Sequence, residues 1–259
     1  MTNDKYRLLL DLASYDSQLA ALSYYCLKSC DCFTLLQEKL DELCGFITSE
    51  ANQSIWKKHE LCGELDRQLK QLRETAIHAL CSLERHQSKC AKAHQLNITP
   101  YLQQLSDSIQ WELKLAKVGS TSRVLFIGSG SYPLSAFTIS QATGATVQGL
   151  DIDKEAVKLA SDLQQEMCKT NFVYGDLAIV FQAFRPTHII IASLVEHKWE
   201  VLAQLRPLLS LSQKILVRFG NGLKSAFNYP FNPELSIGWK RTPILQLSGV
   251  YDAILMEKE

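Results

Sequence analysis

Two glycines stand directly after an apolar run in Val124-Leu125-Phe126-Ile127-Gly128-Ser129-Gly130-Ser131-Tyr132-Pro133, and these residues offer the first chemistry in the chain. Glycine lets a backbone turn tightly and come close to a ligand. Where a helix opens next, its free amides present positive partial charge to a phosphate or carboxylate. Roughly twenty residues on, a second apolar run ends in Asp151-Ile152-Asp153, and an acid at that place accepts hydrogen bonds from ribose hydroxyls. Asp151 and Ile152 therefore join Gly128, Ser129 and Gly130 as ligand-binding candidates, while Asp153 suits the cap of a helix beginning at Lys154. A third run ends in Tyr174-Gly175-Asp176-Leu177, where Asp176 can accept from the exocyclic amine of adenine and the Leu177 amide can meet the ring. Ser193 follows a fourth run and should line the same cleft. The third glycine of a dinucleotide fingerprint is missing, its place taken by Tyr132-Pro133. The set reads as a site for an adenosine-type ligand, adenosylmethionine rather than NAD.

The elements that must hold these residues alternate. Strands are predicted at 123–127, 146–150, 171–174, 187–192 and 214–219, with helices near 133–141, 154–168 and 198–209. The extended segment 245–258 can add antiparallel strands at one edge. An α/β chain is expected, and seven strands of that order would match a Rossmann-like class I methyltransferase fold. Ahead of it, residues 1–99 contain no proline and only two glycines, so helices can run long. Leu8, Leu9, Leu12, Leu19 and Leu22 recur at helical spacing, and an N-terminal helical bundle follows, with breaks near 29–31, 45–49 and 95–99. Thr99-Pro100 starts a further helix, 100–117. The expected division is a helical domain at 1–118 and a Rossmann-like domain at 119–259.

Lysine plus arginine equals aspartate plus glutamate, at 27 each, which gives no electrostatic argument for nucleic acid or an anionic membrane. No apolar run reaches the ~18–20 residues of a membrane span, and a cytoplasmic protein is expected. Cys26 with Cys30, and Cys90 with His94, lie one helical turn apart, but without a matching second half they read as free thiols and no metal is assigned. His188 reads as a packed histidine and His197 as an exposed one. Glu112 falls inside the apolar stripe of helix 100–117, either at its edge or partly buried for a purpose. Arg218 leaves the fifth strand at the ligand edge, either pairing with a substrate carboxylate or serving the sheet. Phe227 and Tyr229 are core or pocket wall.

Three segments resemble one family. Gly128-Ser129-Gly130-Ser131-Tyr132-Pro133-Leu134-Ser135 is similar to the G-S-G-x-x-P-[LM]-[ST] motif of nicotianamine synthases and their bacterial opine-metallophore relatives. Gly149-Leu150-Asp151-Ile152-Asp153 resembles their second motif, and Arg218-Phe219-Gly220-Asn221-Gly222 through Pro230 looks like the long motif of the staphylopine- and pseudopaline-type branch. The resemblance implies transfer of the 2-aminobutanoyl arm of S-adenosylmethionine to the α-amine of histidine, with release of 5′-methylthioadenosine. It implies Glu112 as general base, Tyr132 beside the amino-acid tail of the co-substrate, and Tyr101, Arg218, Phe219 and Asn221 around the acceptor. Asn221 stands where the staphylococcal-type motif has aspartate. An opine dehydrogenase is the implied next enzyme, and the helical half offers a surface for a homodimer. The alternatives are a small-molecule N-methyltransferase and a non-catalytic interaction module on a methyltransferase scaffold.

Overall fold

The computed structural model describes residues 2–90, 100–163, 168–235, 237–244 and 249–259. Four helices come first: α1 (Thr2–Cys26), α2 (Cys32–Thr48), α3 (Glu50–Lys58) and α4 (Gly63–Cys90). The break near 29–31 is present, and that near 45–49 falls at the extended Ser49 between α2 and α3; α2 itself runs through Gly45, held by the buried Leu43, Cys44 and Ile47 around it. The break near 95–99 and His94 lie outside the described residues. Helix α5 (Pro100–Ala116) then leads into the alternating half.

That half comprises β1 (Arg123–Ile127), α6 (Leu134–Thr143), β2 (Thr146–Asp151), α7 (Lys154–Asp162), β3 (Thr170–Tyr174), α8 (Leu177–Phe184), β4 (His188–Ile191), α9 (Lys198–Leu205), β5 (Lys214–Phe219), β6 (Trp239–Ile244) and β7 (Asp252–Lys258). The seven strands lie in the order β3-β2-β1-β4-β5-β7-β6. Strands β1 to β5 are parallel, and β7 pairs antiparallel with both β5 and β6. Strand β6 lies earlier than the segment read as strand, and its Pro243 is tolerated because β6 is the sheet edge. The sequence order reverses between β1 and β4, the place where open α/β sheets bind ligands.

Alternation along the strands builds two cores. Val124, Phe126, Ile190 and Leu216 face α5, α6 and the N-terminal helices, in one apolar cluster that also holds Leu36, Leu72 and Phe227. Leu125, Ile127, Ile189, Val217 and Phe219 face α8 and α9. The helical segment therefore shares a core with one face of the sheet. His188 is packed, with Nε2 3.1 Å from the Ala116 carbonyl oxygen. All eight cysteines are free thiols. Among the described residues, no helix is long and apolar enough to cross a membrane.

Candidate functional site

The turn after β1 is fixed by its own backbone. Gly128 has φ 80° and Gly130 φ 69°, left-handed values that side chains beyond glycine resist. A Cβ on Gly128 would also stand 2.7 Å from Val195 Cγ2. Asp151, at the end of β2, braces this turn: Oδ2 accepts from the Gly130 amide at 2.8 Å and Oδ1 from the Asp153 amide at 3.0 Å. Asp153 caps α7, accepting from the Glu155 amide at 2.8 Å, as its position after β2 predicts. Asp176 has a second duty beside facing the cleft. It caps α8, with Oδ1 accepting from the Ala178 and Ile179 amides.

A cavity of about 800 Å3 opens over the carboxyl ends of β1, β2, β4 and β5. Gly128, Ser129, Gly130, Tyr132, Asp151, Ile152, Asp176, Leu177, Ser193 and Arg218 all line it. Tyr132 is buried there, and among the described residues neither its hydroxyl nor that of Ser129 has a hydrogen-bond partner. Burial pushes the Tyr132 phenol up to about 12, so it stays a donor at neutral pH. Pro133 sits at the N-cap of α6 rather than in its first turn.

Three sequence-predicted site residues lie elsewhere. Phe219 is buried on the opposite face of β5 from Arg218, because neighbouring strand residues point to opposite sides, and it packs 5.5 Å from the Phe231 ring. Asn221 pins the chain after β5: its Nδ2 donates to the Phe231 carbonyl at 2.9 Å and its Oδ1 accepts from the Phe231 amide at 3.2 Å. Glu112 is fully buried behind the cavity wall, with its carboxylate engaged by Arg218. The Arg218 Nε lies 3.2 and 3.1 Å from its two oxygens, and Nη2 lies 2.6 Å from Oε2. Burial pushes the Glu112 carboxyl up, opposed by Arg218 and by a Tyr251 hydrogen bond. The side chain of Tyr101 lies outside the described residues.

Arg218 is what reaches the cavity from this pair. Glu112 fixes its fork, Ser135 Oγ accepts from Nη1 at 3.1 Å, and the guanidinium lies over the Phe126 and Tyr251 rings. The guanidinium is thereby held in one orientation at the cavity wall.

The opposite wall comes from the helical half, where sequence reasoning named no residue. Helix α4 presents Ile77, Leu80, Cys81, Glu84 and Gln87, and α2 presents Gln37, Leu40 and Asp41. Glu84 Oε2 is 3.0 Å from where a Gly130 Cβ would stand. Enclosure by protein, then the neighbouring Asp151 charge, pushes its carboxyl up to about 8, with Arg85 opposing. Arg85 pins α4 to the α7 cap, 2.6 Å from Asp153 Oδ2, and Ser88 Oγ donates to the Ser131 carbonyl at 2.7 Å. The helical half is thus bolted across the glycine turn. In sequence, Glu84 lies one turn beyond Leu80 and two beyond Ile77 on one face of α4, at the edge of its apolar stripe.

The family model described as "Nicotianamine synthase protein" matches residues 9–246. The chain belongs to the nicotianamine synthase family. Two relatives from Pseudomonas aeruginosa and Yersinia pestis, each named L-histidine 2-aminobutanoyltransferase, are similar to it. The first is 34% identical over 254 residues, covering 97% of both chains. The second is 33% identical over 255 residues, covering 98% of this chain and 96% of the relative. Among solved structures, the complex of MtNAS with MTA and tNA superposes with a TM-score of 0.80 at 18% identity, covering 96% of this chain and 97% of that one. That likeness places this member of the family in the same fold, helical segment included.

The assignment of Asp151 makes a direct prediction for this nicotianamine synthase family member. Asp151→Ala removes the brace on Gly130 and the carboxylate expected from its place after β2 to accept from a ribose. Affinity for adenosylmethionine, read by calorimetry, should fall about 10- to 100-fold, the scale of a lost hydrogen bond to a charged group. Unchanged affinity would contradict the ribose assignment.

Proposed function

We propose that this chain transfers the 2-aminobutanoyl group of S-adenosylmethionine to the α-amine of L-histidine and releases 5′-methylthioadenosine. The observation that carries the reading is the position of Glu84, a carboxylate of raised proton affinity set against Gly130. It brings a base to the turn that would hold the amino-acid arm of the sulfonium. The names of the full-length relatives supply the histidine acceptor.

The residues fit such a co-substrate. Gly128 and Gly130 leave open backbone, Asp151 offers carboxylate lone pairs, and Ser129 and Tyr132 present unpartnered buried hydroxyls. The bound sulfonium supplies three carbons open to attack and a neutral thioether as leaving group. Position alone selects among those carbons. Tyr132 and the α4 wall fill the space around the arm, and Arg218 would hold a substrate carboxylate. Glu84 would take the proton that the histidine ammonium must lose before its nitrogen attacks. The new N–C bond forms at the methionine γ-carbon as the C–S bond breaks, and the electron pair leaves with sulfur. The product keeps a primary amine, the group an opine dehydrogenase condenses with a 2-oxo acid.

Glu84 works as a base only when ionised. With its pKa at about 8, kcat at saturating adenosylmethionine should rise as pH increases through that value and level off above it. A profile already flat from pH ~6 upward would remove Glu84 from this role. The reaction itself is tested by incubating the protein with adenosylmethionine and L-histidine and weighing the products. Methylthioadenosine with aminobutanoyl-histidine is expected. S-adenosylhomocysteine as the sole nucleoside product would favour the N-methyltransferase alternative, and failure to bind adenosylmethionine would favour a non-catalytic module.

A further inference from the structure

Lys198, the first residue of α9, takes no part in the chemistry above, yet it is 1% exposed. A buried ammonium is costly unless its donors are met. Here all three are met by main-chain carbonyls: Ser193 at 2.9 Å, Tyr229 at 3.4 Å, and Val195. The same carbonyls knit the two segments further. The Tyr229 amide donates to the Ser193 carbonyl at 3.1 Å, and the Tyr229 carbonyl accepts from the Gly220 amide at 3.2 Å. Ser193, Val195 and Tyr229 all line the cavity. Val195 is also the side chain packed against Gly128 in the glycine turn.

We propose that Lys198 is a positioning residue: its ammonium ties the loop after β4 to the Tyr229 segment and so sets the cavity wall that grips the adenosine half of the co-substrate. The proposal rests on the adenosylmethionine reading. The arrangement resembles a bound cation more than a salt bridge, since carbonyl oxygens converge on the charge from two loops. An apolar side chain of equal length would fill the volume, leave the Val195 carbonyl unmet, and leave the Ser193 and Tyr229 carbonyls only their main-chain donors. The Val195 face of the glycine turn would then lose its anchor.

The charged groups facing Lys198 are Arg73 from α4, which disfavours the ammonium, and Glu196 from its own loop, which favours it. The Tyr229 ring lies 5.8 Å away, and its phenol is pushed up to about 12, so it is neutral across the physiological range. Burial first, then Arg73, pushes the Lys198 ammonium down to about 7. The third donor is therefore present at low pH and lost as pH rises.

The test is calorimetry of the full chain with 5′-methylthioadenosine, which lacks the amino-acid arm that Glu84 and Arg218 would face. Lys198→Met should weaken binding by about tenfold or more, and Lys198→Arg should restore part of it, because a guanidinium still donates to carbonyls. In the unmutated protein, affinity should decline between pH ~6 and pH ~9, and in Lys198→Met it should be weak and flat. The pH series decides the matter even where the Met variant fails to fold. Unmutated affinity that is flat across that range, or a Met variant that binds normally, would overturn the proposal. Unmutated protein that binds no methylthioadenosine at any pH would sink the adenosylmethionine reading, and this proposal with it.

Discussion

Replacing Glu84 by glutamine should lower kcat by about two to four orders of magnitude, the range for loss of a positioned general base. Glutamine keeps the shape of the side chain and removes the titrating group. Adenosylmethionine affinity should hold within about threefold, because Asp151 and the Gly128–Gly130 turn remain in place. The pH dependence near 8 should disappear with the turnover. A Glu84→Gln enzyme with near-normal kcat would show that the amine loses its proton elsewhere. The cleanest format is stopped-time product analysis under saturating substrates, with calorimetry on the same preparation.

The second large effect concerns Glu112 and Arg218. Removing one partner of a buried pair leaves an uncompensated charge and costs about 3–5 kcal/mol. Glu112→Ala should therefore drop the melting temperature by about 6–20 °C, at ~2–4 °C per kcal/mol for a chain of this size. Replacing both residues by apolar ones of similar volume, Glu112→Leu with Arg218→Met, should recover most of that stability. It should not recover activity, because Arg218 reaches the cavity and Glu112 does not. The account predicts a stable double variant with raised KM for its amino-acid substrate. Losses that simply add in the double variant would mean that the two side chains do not act as a pair.

Part of this architecture is written locally and part is not. Strands β1 and β5 fall at their predicted bounds, because each is a short β-branched and apolar run closed by glycine or polar residues. The glycine turn and the Asp153 cap were legible for the same reason: each depends on residues adjacent in sequence. Helix α8 was not read. Its sequence, Leu177 to Phe184, is apolar nearly throughout and carries no helical period, and only the Asp176 cap marks its start. Arg218 lines the cavity, whereas its neighbour Phe219, expected at the same site, points to the other face under the two-residue period of a strand.

The candidate base shows the limit most clearly. Neither glutamate announces its partner in sequence: Glu112 lies inside a helical apolar stripe, and Glu84 at the edge of one. Tertiary packing separates them. The α5 glutamate meets Arg218 behind the wall, whereas the α4 glutamate meets the glycine turn across the cavity. The two contacts span 106 and 46 residues of chain, distances over which periodicity says nothing about partners.

Under the proposed function, the site presents the methionine arm of adenosylmethionine, not its methyl group, to an incoming amine. Adenosylmethionine deuterated in the S-methyl group tests it in one measurement with L-histidine as acceptor. The account predicts that all the label leaves in 5′-methylthioadenosine and that the histidine product gains an unlabelled aminobutanoyl group. Deuterium recovered on a methylated histidine, with S-adenosylhomocysteine as the other product, would contradict it.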